Sequence, residues 1–204
     1  MSELFSIQLQ NRQQQGRDGV WLDLPTTTEQ VQAALRQIGI SSDNPQGLFI
    51  SGYFAEEEKR IAIPYNMVLA SNVDELNFLA SRLETLSTGE RAELNAALQT
   101  PQSEFSSIGR ITDFPENVDY YVHLPDVRGP AQLGDYYLNR SGMVDMPEEW
   151  KGGIDTAQFG RYVAQQEQGV FTEYGYLVKS GDAWQKVHEG QPVPEEYRVL
   201  HFPA

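Results

Sequence analysis

The chain has 204 residues, of which 40% are hydrophobic and 11% aromatic, and it contains no cysteine. Its formal net charge is −14, from 29 acidic residues against 15 Lys and Arg. This composition excludes disulfides and thiolate chemistry, disfavours direct contact with DNA or with anionic membranes, and allows one large domain or two to three small ones.

The first block of the chain predicts a small antiparallel sheet packed on one helix. Alternating apolar residues predict three strands, at 4–11, 19–25 and 47–54. Thr26 and Glu29 have the spacing of a capping box, which predicts the start of a helix between the second and third strands. The helix has one apolar stripe that ends before Gly39, and the stripe consists of Val31, Ala34, Leu35 and Ile38.

The middle block predicts helices that carry few bases. Ser71 with Asp74, and Ser87 with Glu90, have the spacing of two helix starts, and a third short helix is predicted at 103–110. On a helix, neighbours lie three or four residues apart. Neither arginine of the first two helices, at 82 and 91, has an acid at these offsets, so the acids of this block have no basic neighbours on their own helix.

The last block predicts a mixture of helices and strands. Two helices are predicted, one closed by Gly142 and one running from Asp155 to Gly169. A single strand is predicted at 170–178, and a last strand at 197–202. The fold class is therefore α+β, with a sheet-plus-helix domain at 1–68, an acidic helical domain at 69–126 and an α+β domain at 127–204.

Half of the charge excess lies in the middle block. Residues 1–70 have eight acids and five bases, residues 71–126 have ten and three, and residues 127–204 have eleven and seven. The presence of any single acid is explained by a position on the solvent-exposed surface of a helix. An ordinary surface mixes the two signs, however, because fields of one sign cost stability. A sustained acidic field therefore indicates a basic partner.

The sequence offers little for catalysis or for metal binding. The histidines His123, His188 and His201 have no partner at metal-ligand spacing, and 55–60, which contains three consecutive glutamates, has the composition of a solvated turn. The chain has no phosphate-binding loop and no nucleophile elbow. We therefore predict no catalytic residue, no metal site and no cofactor.

Several segments, taken in order, resemble the ArdA-type antirestriction proteins. They are GVWLDLP, LFISGYF, VDELNFLASRLETL, LGDYYLNRSG and IDTAQFGRYVAQQEQGVFTEYGYLV, and the resemblance spans about residues 5 to 198. It implies an elongated, curved α+β chain of three small domains that dimerises through its C-terminal part. It also implies a protein carried by mobile elements, one that mimics B-form DNA and occupies the DNA-binding groove of type I restriction–modification enzymes.

On this hypothesis the acids replace phosphates, and direct binding to nucleic acid is not expected. The candidate mimic residues are Asp18, Asp23, Glu29, Glu56, Glu57, Glu58, Asp74, Glu75, Glu84, Glu90, Glu93, Glu104, Asp113, Glu116 and Asp119. The aromatic candidates for a homodimer interface are Tyr136, Tyr137, Phe159 and Tyr162. For each of these four, ordinary packing in the core of the domain is the better explanation.

Two other functions are compatible with the same residues. The first is an acidic adaptor that binds a basic protein unrelated to restriction. The second is a hydrolase with a pair of carboxylates, which requires two acids that converge in a cleft. The first residues have neither a basic start nor an apolar core, so we expect no signal peptide, no membrane contact and a cytoplasmic protein.

Overall fold

A computed structural model describes residues 4–14, 18–57, 60–100 and 104–203. The described residues contain eight α-helices and two small three-stranded sheets, so the α+β class is confirmed. The strands are β1 (Phe5–Asn11), β2 (Val20–Leu24), β3 (Leu48–Phe54), β4 (Tyr121–Leu124), β5 (Val170–Thr172) and β6 (Gly175–Lys179). The helices are α1 (Thr28–Gln37), α2 (Tyr65–Leu69), α3 (Val73–Leu83), α4 (Thr88–Leu98), α5 (Ile108–Thr112), α6 (Pro130–Asp135), α7 (Glu148–Lys151) and α8 (Thr156–Glu167).

The chain forms two compact units. Unit 1 consists of Met1–Ser87, Glu104–Glu116 and Gln185–Ala204, and unit 2 consists of Thr88–Ser103 and Asn117–Trp184. Helices α3 and α5 belong to unit 1 and α4 belongs to unit 2, so the boundaries of the units differ from the block boundaries of the sequence. An arrangement of three domains remains a prediction.

Unit 1 is built on an antiparallel sheet in the order β2-β1-β3. Side chains alternate across a strand, and in β1 every second residue, such as Ile7 and Leu9, is fully buried. Helix α1 covers this inner face with the predicted stripe, in which Val31 and Leu35 are inaccessible to solvent. Helix α3 adds a second buried stripe that includes Leu76.

The two helix starts lie one residue later than predicted. The capping box of α1 is formed by Thr27 with Gln30, where Thr26 with Glu29 was predicted. The box of α3 is formed by Asn72 with Glu75, where Ser71 with Asp74 was predicted. The short helix predicted at 103–110 is α5, which also begins and ends later in the chain.

Unit 2 contains the second antiparallel sheet, in the order β4-β6-β5. Helices α6 and α8 pack against each other at two glycines. A Cβ on Gly160 would lie 1.8 Å from the carbonyl oxygen of Pro130, and a Cβ on Gly134 would lie 1.9 Å from that of Thr156. Only glycine allows backbones to approach this closely. The core of the unit is formed by Val127, Leu133, Ala164 and Tyr176.

Two predictions for the last block need correction, and a third holds with a change in helix type. The single strand at 170–178 is a hairpin of β5 and β6, and Gly175 at its turn has a φ of +129°. The last strand, at 197–202, does not form. The helix predicted to end at Gly142 does so, but residues Tyr136–Arg140 continue α6 as a π-helical turn.

Candidate acidic surface

Both compact units are acidic. Unit 1 contains 17 acidic and nine basic residues and has a net charge of −8. Unit 2 contains 12 acidic and six basic residues and has a net charge of −6. The charge excess that the sequence concentrates in one block is therefore shared between the two units.

Five candidate acids of unit 1 have exposed side chains. Three are placed by regular structure: Asp23 lies on the solvent side of β2, Glu29 lies in the first turn of α1, and Glu56 follows β3. Of the other two, Asp18 lies outside the regular elements and Glu57 lies in a 3₁₀ turn. Glu58 lies outside the described residues.

Hydrogen bonds from nearby groups act on two of these carboxylates. In one they favour the charged form, and in the other they fix its position. A backbone hydrogen bond and the hydroxyl of Thr27 lower the pKa of Glu29 from its ordinary value. The hydroxyl of Ser6 donates a hydrogen bond of 2.6 Å to Asp23, across the β1–β2 pair. Both carboxylates are therefore held at exposed positions.

Asp113 does not belong to the surface. It is fully buried, and its two oxygens accept hydrogen bonds from the backbone N–H groups of His188, at 2.6 Å, and Glu189, at 3.2 Å. A carboxylate without exposed atoms cannot bind a basic partner. The prediction that Asp113 is a mimic residue is therefore wrong.

Asp74 also has an internal role. Its Oδ1 accepts hydrogen bonds from the backbone N–H groups of Val199, at 2.7 Å, and Leu200, at 2.8 Å. These amides lie in the segment predicted as the last strand, and the side chain of Asp74 satisfies them where a strand partner would. Asp74 is half-buried, so part of its surface still faces solvent.

Two further candidates pair with arginines of unit 1. Glu116 accepts a hydrogen bond from Arg82, so this arginine pairs with an acid on another element of unit 1. Glu104 lies 2.9 Å from Arg110, which also lies 3.4 Å from Glu189. These pairs neutralise part of the charge that the sequence assigns to the surface.

The remaining candidates on α3 are half-buried. Glu75 completes the capping box, in which the backbone N–H of Glu75 donates to the Asn72 side chain at 2.9 Å. Glu84 follows the last residue of the helix and is half-buried as well. Both can still present charge to a partner from their exposed atoms.

In unit 2, three candidate acids lie close enough to affect each other. Burial, and secondarily the charges of Glu90 and Asp119, raise the pKa of Glu93 to about 8. The Oε1 atom of Glu93 is buried and has no hydrogen-bond partner among the described residues. Glu93 is therefore mostly protonated at pH 7 and adds little charge, whereas Asp119 is exposed.

The aromatic candidates of unit 2 fall into two groups. Tyr137 donates a hydrogen bond to Glu167, whose other oxygen accepts from Tyr176 at 2.9 Å, and burial raises the pKa of both tyrosines. Tyr136 packs edge-on against Tyr137, with ring centroids 5.5 Å apart. On α8, Phe159 is half-buried, whereas Tyr162 is 60% exposed. Tyr162 is therefore the candidate most accessible to a second chain.

The histidines have contacts within their own units. The ring of His188 packs edge-on against Phe78, with centroids 4.9 Å apart, and Nε2 of His123 lies 2.9 Å from the carbonyl oxygen of Tyr174. Within the described ranges, no three His, Asp or Glu side chains lie close enough together to hold a metal ion. None of the described helices has the length and apolar character needed to cross a bilayer.

These features describe an acidic α+β protein with exposed carboxylates on both of its units. A family model for the ArdA antirestriction proteins matches residues 15–178. The chain therefore belongs to the ArdA family, and the family indicates an antirestriction function. No curated protein matches the chain.

The structure adds two features that counting acids did not reveal. Two of the candidate acids hold the C-terminal segment of unit 1 through its backbone amides. Two exposed aromatic side chains, Trp21 and Phe54, lie on the same sheet face as Asp23. The alternation of β2 could have revealed the position of Trp21, whereas Phe54 requires the strand register.

Proposed function

We propose that this protein inhibits type I restriction–modification enzymes by mimicking B-form DNA and occupying their DNA-binding groove. Carboxylates take the place of phosphates, since both accept charge-assisted hydrogen bonds from Lys and Arg. The observation that carries the proposal is the presence of exposed carboxylates on both units of an ArdA-family chain with a net charge of −14.

The amount of charge is appropriate for a mimic of a short duplex. Double-stranded DNA carries one charge per roughly 1.7 Å of its axis. A dimer of this chain has a formal charge of −28, twice the −14 of one chain. At the density of DNA, that charge corresponds to about 48 Å of duplex.

The acids proposed to contact the target are those with exposed side chains. They are Asp18, Asp23, Glu29, Glu56, Glu57 and Asp119. Half-buried acids such as Glu75, Glu84 and Glu90 contribute to the field at longer range, and Glu58 is kept in the set on its charge alone. Because the interaction is distributed over many charges, no single acid is essential.

The proposed active species is a homodimer that forms through unit 2. The exposed ring of Tyr162 on α8 is the proposed contact, since aromatic residues are enriched in protein interfaces. Tyr136, Tyr137 and Phe159 remain in the proposed interface set, and Tyr136 and Tyr137 also pack on the core of the unit.

The test is a competition assay with a type I methyltransferase bound to a labelled duplex. Added protein should displace the duplex at low salt, and displacement should weaken steeply as the salt concentration rises. A variant with Asp18→Asn, Glu29→Gln, Glu57→Gln and Asp119→Asn should compete more weakly. A failure of the wild-type protein to displace DNA at low salt would reject DNA mimicry and favour an adaptor for another basic protein.

A further inference from the structure

Two exposed aromatic rings lie beside carboxylates on the outer face of the sheet of unit 1. Trp21 and Asp23 occupy alternate positions on β2 and so point to the same side. Ser6 on β1 pairs with Asp23 on one side and with Phe54 on the other. The exposed fractions are 49% for Trp21 and 57% for Phe54, so two large aromatic side chains are exposed on one sheet face.

The sheet provides space for the indole ring of Trp21. Gln8 on β1 pairs with Trp21 on β2 and with Gly52 on β3. A Cβ added to Gly52 would lie 3.0 Å from Cη2 of Trp21 and 3.1 Å from Cβ of Gln8. The indole therefore extends across the sheet over the glycine, and about half of the side chain remains exposed to solvent.

A small cleft opens on the same face. Its volume is about 200 Å³, and it is lined by Leu4, Phe5, Ser6, Asp23, Phe54, Ala55 and Glu56. Pockets for whole ligands measure about 300–1,000 Å³, so this cleft is the size for a single long side chain. Its wall combines two carboxylates with an aromatic ring, and the hydrogen bond from Ser6 fixes Asp23 in place.

This combination suits a guanidinium group better than any other side-chain head. A carboxylate binds the guanidinium fork through parallel hydrogen bonds, and an aromatic ring accepts it by stacking. An ammonium group is a compact, strongly hydrated charge that gains less from the ring. A neutral or acidic side chain would bring no positive charge to Asp23.

We propose that this face is a docking surface for a basic protein, in which the cleft takes an arginine side chain and the Trp21 ring packs against the partner. The inference rests on the proposed function and deepens it, because the partner is the same basic enzyme. The phosphate backbone of DNA offers no such rings, so this face adds a contact that the backbone lacks. Apolar contact is not screened by salt, whereas the carboxylate contacts are.

A direct test uses nuclear magnetic resonance and a small probe. Nα-acetylarginine methylamide is titrated into the labelled protein, and the matched probe is the citrulline analogue, which has the same shape without the charge. The arginine probe should shift the Trp21 indole signal and the backbone signals of Ser6 and Phe54, and the citrulline probe should not. Asp23→Asn with Glu56→Gln should abolish these shifts.

The second test repeats the duplex competition at several salt concentrations. Trp21→Ala with Phe54→Ala should weaken competition about five- to tenfold, by the same factor at each salt concentration. Asp23→Asn with Glu56→Gln should weaken it most at low salt. The matched controls are Trp150→Ala, an exposed tryptophan of unit 2, and Asp43→Asn, an exposed acid of unit 1.

The outcomes separate this inference from the proposed function. If the wild-type protein displaces DNA but the double aromatic variant competes like Trp150→Ala, the docking surface is rejected and DNA mimicry stands. If the wild-type protein fails to displace DNA, mimicry is rejected, and the probe titration alone decides on the cleft. Equal shifts with both probes, or none with either, would reject the arginine site.

Discussion

The carboxylate of Asp113 accepts a hydrogen bond of 2.6 Å from the backbone N–H of His188, 75 residues further along the chain. Its second oxygen accepts from the next amide, that of Glu189. One buried acid on the segment after α5 thus holds the start of the C-terminal segment of unit 1. The carboxylate accepts hydrogen bonds from two backbone amides that are not part of a sheet. Asp113 therefore stabilises the fold, whereas a count of charges would assign it to binding.

The arrangement at Asp113 predicts that Asp113→Asn destabilises the protein. Each oxygen accepts a hydrogen bond from a backbone N–H. In asparagine, one of these oxygens is replaced by an NH2 group, which cannot accept a hydrogen bond and faces the N–H donor. Leaving a buried donor without a partner costs about 1–3 kcal/mol. Urea unfolding followed by circular dichroism should show this loss in the free energy of unfolding. Asp43→Asn, at an exposed position, should leave it unchanged.

Asp74 should behave differently, because a single oxygen accepts both amides. Asp74→Asn retains an Oδ1 atom that can accept from Val199 and Leu200, so we expect a loss below about 1 kcal/mol. Asp74→Ala removes the acceptor and should cost about 1–3 kcal/mol. Hydrogen exchange at the two amides should accelerate in the alanine variant and not in the asparagine variant. Equal acceleration in both would contradict the assignment of Oδ1.

The sequence predicts the elements of the fold well because periodicity is a local property. The strands of unit 1 and the stripe of α1 follow directly from alternation and helical spacing. The predicted N-cap of α1 is one residue too early. Thr26 and Thr27 are each followed, three positions later, by a side chain that can accept a hydrogen bond, so the local sequence fits both positions. The choice depends on tertiary contact, since the N–H of Thr26 donates to Asn77 on α3 at 2.7 Å.

The acidic surface was less predictable than the fold. A sequence supplies the number of carboxylates, but their partners are set by contacts between distant segments. Arg82 and Glu116 are 34 residues apart, and Asp74 and Val199 are 125 residues apart. Contacts between residues this far apart in the chain leave no pattern in the local sequence. Counting acids therefore overestimates the charge that faces solvent, and Asp113 and Glu93 are the clearest cases.

Exposed acids and inward-facing acids should affect competition differently. Neutralising Glu29 and Glu57, with glutamine at both positions, should lower the slope of log affinity against log salt, because fewer ion contacts form. Asp74→Asn removes one charge while leaving the fold intact, and should change the slope less for each charge removed. The measurement is the duplex competition across a salt series. Equal changes per charge would mean that total charge, and not exposure, determines binding.

Tyr162 provides a test of the proposed dimer. Replacing its exposed ring by alanine should weaken self-association about tenfold if it lies at the centre of the interface. Sedimentation velocity at several concentrations measures the monomer–dimer equilibrium. Tyr65→Ala is the matched control, since Tyr65 is a tyrosine of unit 1 with 52% exposure. A wild-type protein that sediments as a monomer at all concentrations would reject the dimer.

The half-buried carboxyl of Glu93 makes the stability of unit 2 depend on pH. Its pKa in the folded protein is about 8, above the ordinary value of 4.5, so folding favours the protonated form. The resulting stabilisation is fully present below pH 4.5, declines as the pH rises, and is lost above about 8. Since the side chain is only partly buried, we expect a change of about 1–2 kcal/mol after solvent screening.

Glu93→Gln removes this titration while retaining the shape of the protonated side chain. Relative to the wild-type protein, the variant should gain stability progressively from pH 5 to pH 9, as the wild-type carboxyl ionises. Urea unfolding across that range measures the difference, and Asp145→Asn, an exposed acid of unit 2, should show no such trend. If the variant and the wild-type protein keep a constant difference in unfolding free energy, Glu93 ionises normally and contributes its charge to the surface.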